Sequence, residues 1–302
     1  MSFRPFLCYG MEYFLYFWRG LLTKTMKLIV DSGSTKAQWK LQLPESGSRT
    51  LETVGINPVR DDAETVRKIV SVVAAELADG VDEVFFYGAG CVAPYAEVVH
   101  RSLQDAFLKA QIRVESDLLG VARALCGRHE GIACILGTGS NSCLYDGKRI
   151  VKNVSPLGWV LGDEGSGAVL GRLFVGDVLK RAYHRSLCTS FLKYHKLTQE
   201  EIIDRVYRQP QPNRFLASLV PFISHVQDDR EVHAFLLREF RRFFHRNVQA
   251  YKRPDLPVNF VGGVAAAFEG ILREAAEREK LIFGFVEQRP IQRIYDYHCS
   301  PE

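Results

Sequence analysis

One pattern of apolar and polar positions occurs twice along this chain. Lys27–Val30 is a short apolar run that breaks into Asp31-Ser32-Gly33-Ser34-Thr35-Lys36, and the strand-like stretch Ala37–Leu43 follows. About a hundred residues later, Ile132–Leu136 breaks into Gly137-Thr138-Gly139-Ser140, and Ser142–Tyr145 and the turn Asp146-Gly147 follow. Each copy reads as strand, small-residue turn, strand, which is a β-hairpin pattern. Between the copies, Val66, Ile69, Val70, Val73 and Leu77 fall at helical spacing, with Asp61, Asp62 and Glu64 in or before the first turn. Val84–Tyr87 reads as a buried strand ending in Gly88-Ala89-Gly90, and Pro94 opens a further helix. Ile112–Val114 is a strand that runs through Glu115-Ser116-Asp117 into a helix over Leu118–Cys126. From Met26 to Ser116 the predicted order is therefore strand, strand, strand, helix, strand, helix, strand.

Beyond the second hairpin the period changes. Leu161-Gly162-Asp163-Glu164-Gly165-Ser166-Gly167 precedes an apolar helix over Ala168–Leu179, and residues 172–253 read mostly as helix. Asp228–Tyr251 is predicted as one long amphipathic helix, with Val232, Phe235, Leu236, Phe243, Phe244 and Val248 on one face. Arg238, Arg241, Arg242 and Arg246 lie away from much of that face and read as a solvated basic surface. Pro257–Val261 is a strand ending in Gly262-Gly263-Val264 and the small residues Ala265-Ala266-Ala267. A helix over Phe268–Lys280, a strand over Leu281–Val286 and a helical tail over Pro290–His298 complete the pattern.

Length and composition narrow the class. A chain of 302 residues can bury a large core and divides most simply into two domains. With 47% hydrophobic and 25% charged residues it has the composition of an ordinary globular enzyme. A formal net charge of +4 is too small and too scattered to indicate nucleic acid or an acidic membrane surface as partner. The seven cysteines form no CxxC pair and no zinc-ligand spacing, and Cys134 and Cys143 sit inside apolar runs, as reduced thiols of a cytoplasmic protein do. Residues 1–25 are rich in Phe, Tyr and Leu, but Glu12 and Arg19 keep any apolar run short of the ~20 residues needed to span a bilayer. They read as a non-native extension ahead of a start at Met26, or else as an amphipathic helix on a membrane surface.

The chemistry concentrates at the turns. Glycines flanking Thr138, and Gly33 beside Thr35, let backbone approach an anion while the hydroxyls add donors; a plain hairpin corner is the competing reading. Asp31 at the first turn is a hard oxygen ligand of the kind magnesium takes. Asp117 stands where an aspartate commonly caps a helix, and Ser116 is an alternative cap. Asp163 and Glu164 suit a helix start, Asn57 before Pro58 suits a turn, and Gly262-Gly263 suits tight strand–helix packing or contact with a flat base. The chain contains no GxxxxGK[ST] loop, no GxSxG elbow and no HExxH pair. Gly165–Gly171 superficially resembles a dinucleotide fingerprint but does not directly follow a strand.

Taken in order, DSGSTK, LGTGSNS and VGGVAAAF resemble the two phosphate motifs and the adenosine motif of the sugar kinase/Hsp70/actin ATPase superfamily. Within it, LGDEGSG and ESDLLGVARAL resemble the N-acetylglucosamine kinase and BadF/BadG/BcrA/BcrD-type ATPase family. The resemblance implies an α/β fold of two ribonuclease H-like lobes (the actin-like ATPase fold) with the nucleotide in the cleft between them. The lobes implied are 26–116, with the C-terminal helix 290–302 packing back on it, and 117–289. The implied activity is phosphoryl transfer from Mg-ATP to an amino sugar, foremost the 6-hydroxyl of N-acetylglucosamine. Glucosamine, N-acetylmuramic acid and ATP-driven activation of a partner enzyme through an iron–sulfur cluster are the alternatives.

The resemblance also distributes roles over residues. It makes Asp117 the catalytic base and Asp31 the magnesium ligand. Gly33, Ser34, Thr35, Lys36, Gly137, Thr138, Gly139 and Ser140 would hold phosphates, and Gly262 and Gly263 the adenosine. Asn57, Asp117 and Asp163 would contact the sugar. ATP and Mg²⁺ are the expected cofactors, a small sugar the expected partner, and nucleic acid and membrane are not expected; a homodimer is left open. Many relatives carry Gly-Trp-Gly with the tryptophan six residues ahead of the GDEG aspartate. Here Trp159 is four ahead of Asp163, and Leu157 stands at the aromatic position.

Overall fold

The computed structural model describes residues 25–33, 35–43, 47–77 and 80–300. The expectations for residues 1–24 and for Ser34 lie outside the described residues. The chain divides into two compact units, Met1–Glu115 and Ser116–Glu302.

The first unit is built on a five-stranded sheet of order β3-β2-β1-β4-β5. Its strands are β1 (Lys27–Ser32), β2 (Lys36–Gln42), β3 (Ser48–Val54), β4 (Glu83–Gly88) and β5 (Gln111–Ser116). Strand β1 pairs antiparallel with β2 and parallel with β4, placing Asp31 between Gln38 and Tyr87. Helices α1 (Ala63–Leu77) and α2 (Ala96–Ala106) pack on one another and join the core of Leu28, Val30, Trp39, Val70 and Phe86. Helix α1 starts at Ala63 because the Asp62 carboxylate accepts the Thr65 N–H at 2.8 Å, satisfying a donor the helix cannot. Helix α2 starts at Ala96, two residues past Pro94, the predicted first residue.

The second unit repeats the plan. Its sheet has the order β10-β9-β6-β7-β8, with β6 (Glu130–Leu136), β7 (Ser140–Asp146), β8 (Ile150–Val154), β9 (Pro257–Val261) and β10 (Ile282–Glu287). Strand β6 is antiparallel to β7 and parallel to β9, as β1 is to β2 and β4. Alternation along the strands gives the sheet two apolar faces. Ala133, Cys143, Tyr145 and Val261 bury against α3 (Asp117–Cys126), while Ile132, Cys134, Leu136 and Phe260 face a larger core. That core is supplied mainly by α5 (Gly167–Leu179), α6 (Arg185–His195), α10 (Arg230–Phe243) and α12 (Glu269–Arg278). Shorter helices fill in: α4 (Gly158–Leu161), α7 (Gln199–Tyr207), α8 (Pro212–Ala217), α9 (Val220–His225) and α11 (Gly263–Ala267).

One predicted element is corrected. The long helix over 228–251 is α10 followed by a π-helical turn, Phe244–Val248, and a 3₁₀ turn, Gln249–Tyr251. The Asn247 side-chain amide donates to the Phe243 carbonyl at 3.3 Å, and a side chain entering the backbone ladder is a regular cause of such a break. The helix predicted over 268–280 is α12, and the short α11 precedes it, the two meeting at Phe268, which is fully buried. The C-terminal helix, α13 (Ile291–Cys299), packs on α3, and Tyr297 lies against Arg123 and Arg128.

Candidate active site

In the second unit the Gly137–Ser140 turn, Gly262 and Asp163 come together. The turn between β6 and β7 is closed by a bond from Gly137 N–H to the Gly139 carbonyl at 2.9 Å. It is held from below by the start of α5, where Gly167 N–H donates to the Gly137 carbonyl (2.8 Å) and Ala168 N–H to the Thr138 carbonyl (3.0 Å). Ser166 caps that helix by accepting the Val169 N–H, so the turn rests on a properly started helix. Gly262, at φ +117°, packs its bare Cα against the Leu136 carbonyl, and a Cβ there would overlap it. Gly263, next in the chain, has open space where a side chain would stand. The hairpin therefore presents Thr138, which is exposed, above a braced backbone.

Asp163 belongs to the same cluster. It adopts φ +51°, a conformation L-residues rarely take, held by its N–H donating to the Pro156 carbonyl (2.7 Å) and its carbonyl accepting from Ser166 N–H (3.0 Å). Its carboxylate accepts the Ser140 N–H and lies over Gly139, where a Cβ would come within 3.1 Å of Oδ2. Burial pushes this carboxyl up to about 6; the Ser140 N–H opposes the rise and the neighbouring Glu164 carboxylate adds to it.

Asp117 opens α3, and the cap is Ser116, whose hydroxyl accepts the Leu119 N–H at 3.3 Å. The Asp117 carboxylate is thus released from capping and accepts the adjacent Leu118 N–H at 2.8 Å, with its own N–H also turned to it. Burial raises its carboxyl above the usual carboxylate range. Helix α3 runs back along β6, with Cys126 against Gly131, so Asp117 lies toward the end of the sheet that carries Gly137 and Gly262.

In the first unit Asp31, Gly33, Thr35 and Asn57 are neighbours. Gly33 N–H donates to the Lys36 carbonyl and Gly55 N–H to the Thr35 carbonyl, each at 3.0 Å. Ser32, fully buried, accepts the Ile56 N–H at 2.9 Å, which brings Asn57 beside the strand end that bears Asp31. The Asn57 side-chain carbonyl accepts Val59 N–H at 3.1 Å, a local turn that fixes the loop. Lys36 is exposed and paired with Glu52 at 2.6 Å.

Sequence reasoning missed a buried network. Glu164 is 6% exposed and takes Arg246 Nε at 2.9 Å and Asn247 Nδ2 at 3.2 Å. Its acidity at a helix start gave no sign of a partner some eighty residues away. Trp159 packs half-buried against the larger core, whereas Leu157, at φ +61°, is 58% exposed.

A Porphyromonas gingivalis protein that carries the provisional name N-acetylglucosamine kinase has a solved structure 46% identical in sequence to this chain. The match covers 90% of this chain and 98% of that one, with a TM-score of 0.86. This chain belongs to the N-acetylglucosamine kinase family. A second protein provisionally given that name, from Chromobacterium violaceum, shares the family fold at 20% identity and TM-score 0.73, over 91% of this chain and 99% of its own. A ROK family glucokinase from Streptomyces griseus, solved with glucose and AMPPNP, shares the fold at 15% identity and TM-score 0.54, over 90% and 98%. The two mixed sheets are those of the actin-like ATPase fold that the N-acetylglucosamine kinase family uses. No family model matches the chain, and no curated protein matches it. No helix among the described residues is long and apolar enough to cross a membrane.

Proposed function

We propose that this protein phosphorylates an amino sugar from ATP, with the 6-hydroxyl of N-acetylglucosamine as the foremost acceptor. The observation that carries this reading is the braced Gly137–Ser140 turn sharing its Ser140 N–H with the Asp163 carboxylate. It puts an anion-accepting backbone and a hydroxyl-binding carboxylate side by side, in a chain 46% identical to a protein provisionally named for this reaction.

Phosphoryl transfer asks the protein mainly for positioning and charge stabilisation. Thr138, Gly139 and Ser140 hold phosphate oxygens in the second unit, and Gly33 and Thr35 do so in the first. Gly262 and Gly263 offer bare backbone to the adenosine. Asp163 and Asn57 accept and donate hydrogen bonds to sugar hydroxyls. Asp117, freed by the Ser116 cap and made more basic by burial, takes the proton of the attacking hydroxyl. Magnesium, when bound with the nucleotide, neutralises phosphate charge. The half-buried carboxylate of Asp31 at a strand end suits that hard cation, which keeps several waters and asks little of the protein.

Activation of a partner through a cysteine-held cluster has less support. Cys126 and Cys134 are buried, and burial pushes the Cys126 thiol up to about 11, away from the thiolate that a metal needs. The test is ADP release measured over a panel of hexoses and amino sugars. Turnover that depends on N-acetylglucosamine, with the 6-phosphate as product, is expected. ADP release indifferent to every sugar would overturn the reading.

A further inference from the structure

Resting on that reading, we infer that Glu164 is a positioning residue for the sugar-binding carboxylate of Asp163, acting through the π-helical turn Phe244–Val248. Both Glu164 oxygens are taken by consecutive residues of that turn, Arg246 Nε on Oε1 and Asn247 Nδ2 on Oε2. Asn247 is itself 6% exposed, and its amide is shared with the Phe243 carbonyl, so it cannot follow Glu164 if the chain shifts. The widened turn is what lets two successive side chains reach one carboxylate; π turns are rare and concentrate at functional sites. Gly165, at φ +73°, lets the chain pass closely over Phe243, which a Cβ would approach within 3.2 Å. Residue 164 is thus pinned on three sides, and residue 163 directly before it is the one in the left-handed conformation.

With the Arg246 side chain 47% exposed, its pair with Glu164 adds little to stability, so the role assigned to it here is of another kind. That role is geometric and electrostatic. The pinned Glu164 holds Asp163 over Gly139 with its carboxylate on the Ser140 N–H, so the sugar ligand and the phosphate turn move as one body. The charges facing this group are few: Glu164 from its own loop, Arg246 from the π-helical turn beyond Glu164, and the uncharged Ser140 N–H from the hairpin. Glu164 adds to the upward shift of the Asp163 carboxyl, and Arg246 offsets part of the Glu164 charge.

The deciding experiment follows the Asp163 carboxyl carbon by NMR in protein labelled at aspartate, assigned with Asp163→Asn and titrated without ligand. In Glu164→Gln the Asp163 titration should move to lower pH than in the unaltered protein. In Arg246→Met it should move to higher pH, because Glu164 is left without its counter-charge. Kinetically, both variants should raise KM for the sugar roughly tenfold, the weight of one charged hydrogen bond, while KM for ATP changes little. The double variant should cost less than the sum of the two, as groups in one network do. An unmoved Asp163 titration together with unchanged sugar KM would overturn the inference. Should no amino sugar be phosphorylated, the proposed function falls while the ligand-free titrations still decide the link between Glu164 and Asp163.

Discussion

The two hairpin turns of this protein have the same length and the same place in matching sheets, yet they are supported differently. Residues 33–35 join β1 to β2, and residues 137–139 join β6 to β7. The first turn leans on a loop: Gly55 closes on the backbone of Gly33, Thr35 and Lys36, and the Ser32 hydroxyl locks to Ile56. The second leans on a helix start, through Gly167 and Ala168, with Gly262 behind it and Asp163 in front. A helix start supplies fixed N–H groups and positive potential, which favour an anion and allow carboxylates to be held nearby. A loop supplies only proximity. In the proposed reading the pattern shared by the two turns makes a place for phosphate, and the helix-start buttress is what sets the second turn beside the Asp163 carboxylate.

The strongest way to break this comparison is to move the chemistry out of the second unit. Asp117→Asn should lower kcat by roughly 10²–10⁴, the weight of a positioned base, with ATP and sugar affinities nearly intact. Asp31→Asn in the first unit should instead raise the magnesium concentration needed for half-maximal rate. Equal losses of kcat for both would erase the asymmetry.

The buttresses can be compared directly. Gly262→Ala combines an overlap with Leu136 and a φ of +117°, and should cost about 3 kcal/mol in urea unfolding together with much of the ATP affinity. Gly55→Ala meets the overlap alone and should cost about 1–3 kcal/mol. Gly263→Ala enters open space at a helix start, so it should leave unfolding unchanged and weaken ATP only.

Acidity sharpens the contrast further. Because the Asp163 carboxyl is held up to about 6, sugar affinity measured by calorimetry should fall as pH drops through 6, while ATP binding alone should not follow it. The sign for stability is opposite. A carboxyl raised in the folded state favours folding while protonated, so this contribution is present below the ordinary 3.8 and lost as pH rises through about 6. A modest effect is expected for Ser116→Ala. It should cost about 1 kcal/mol of stability as a lost cap, and if Asp117 turns to cap the helix in its place, kcat should fall as well.

Much of this was legible before any coordinates. The order strand, strand, strand, helix, strand, helix, strand from Met26 to Ser116 is the order observed, because period-two and period-3.6 patterns report burial locally. Ser116 as the alternative cap to Asp117 could be read from neighbouring residues alone. The break of the 228–251 helix could not be. Its apolar face continues through Phe243, Phe244 and Val248, and only the Asn247 amide on the Phe243 carbonyl and the Glu164 pair reveal a π turn. The docking of α13 on α3 was hidden for the same reason, since an amphipathic helix states that it has a partner and not which one.

The amino-acid sequence by itself determined the two hairpins, the small residues at their turns and the carboxylates at the starts of α3 and α5, since each follows from neighbours a few positions apart. Tertiary structure alone decided that Asp163 lies on the Ser140 N–H, that Glu164 is spoken for by Arg246 and Asn247, and that Gly262 must be bare. Those facts depend on which surfaces meet when separate elements pack, and the free energy that selects them is summed over the whole core rather than written at any one position.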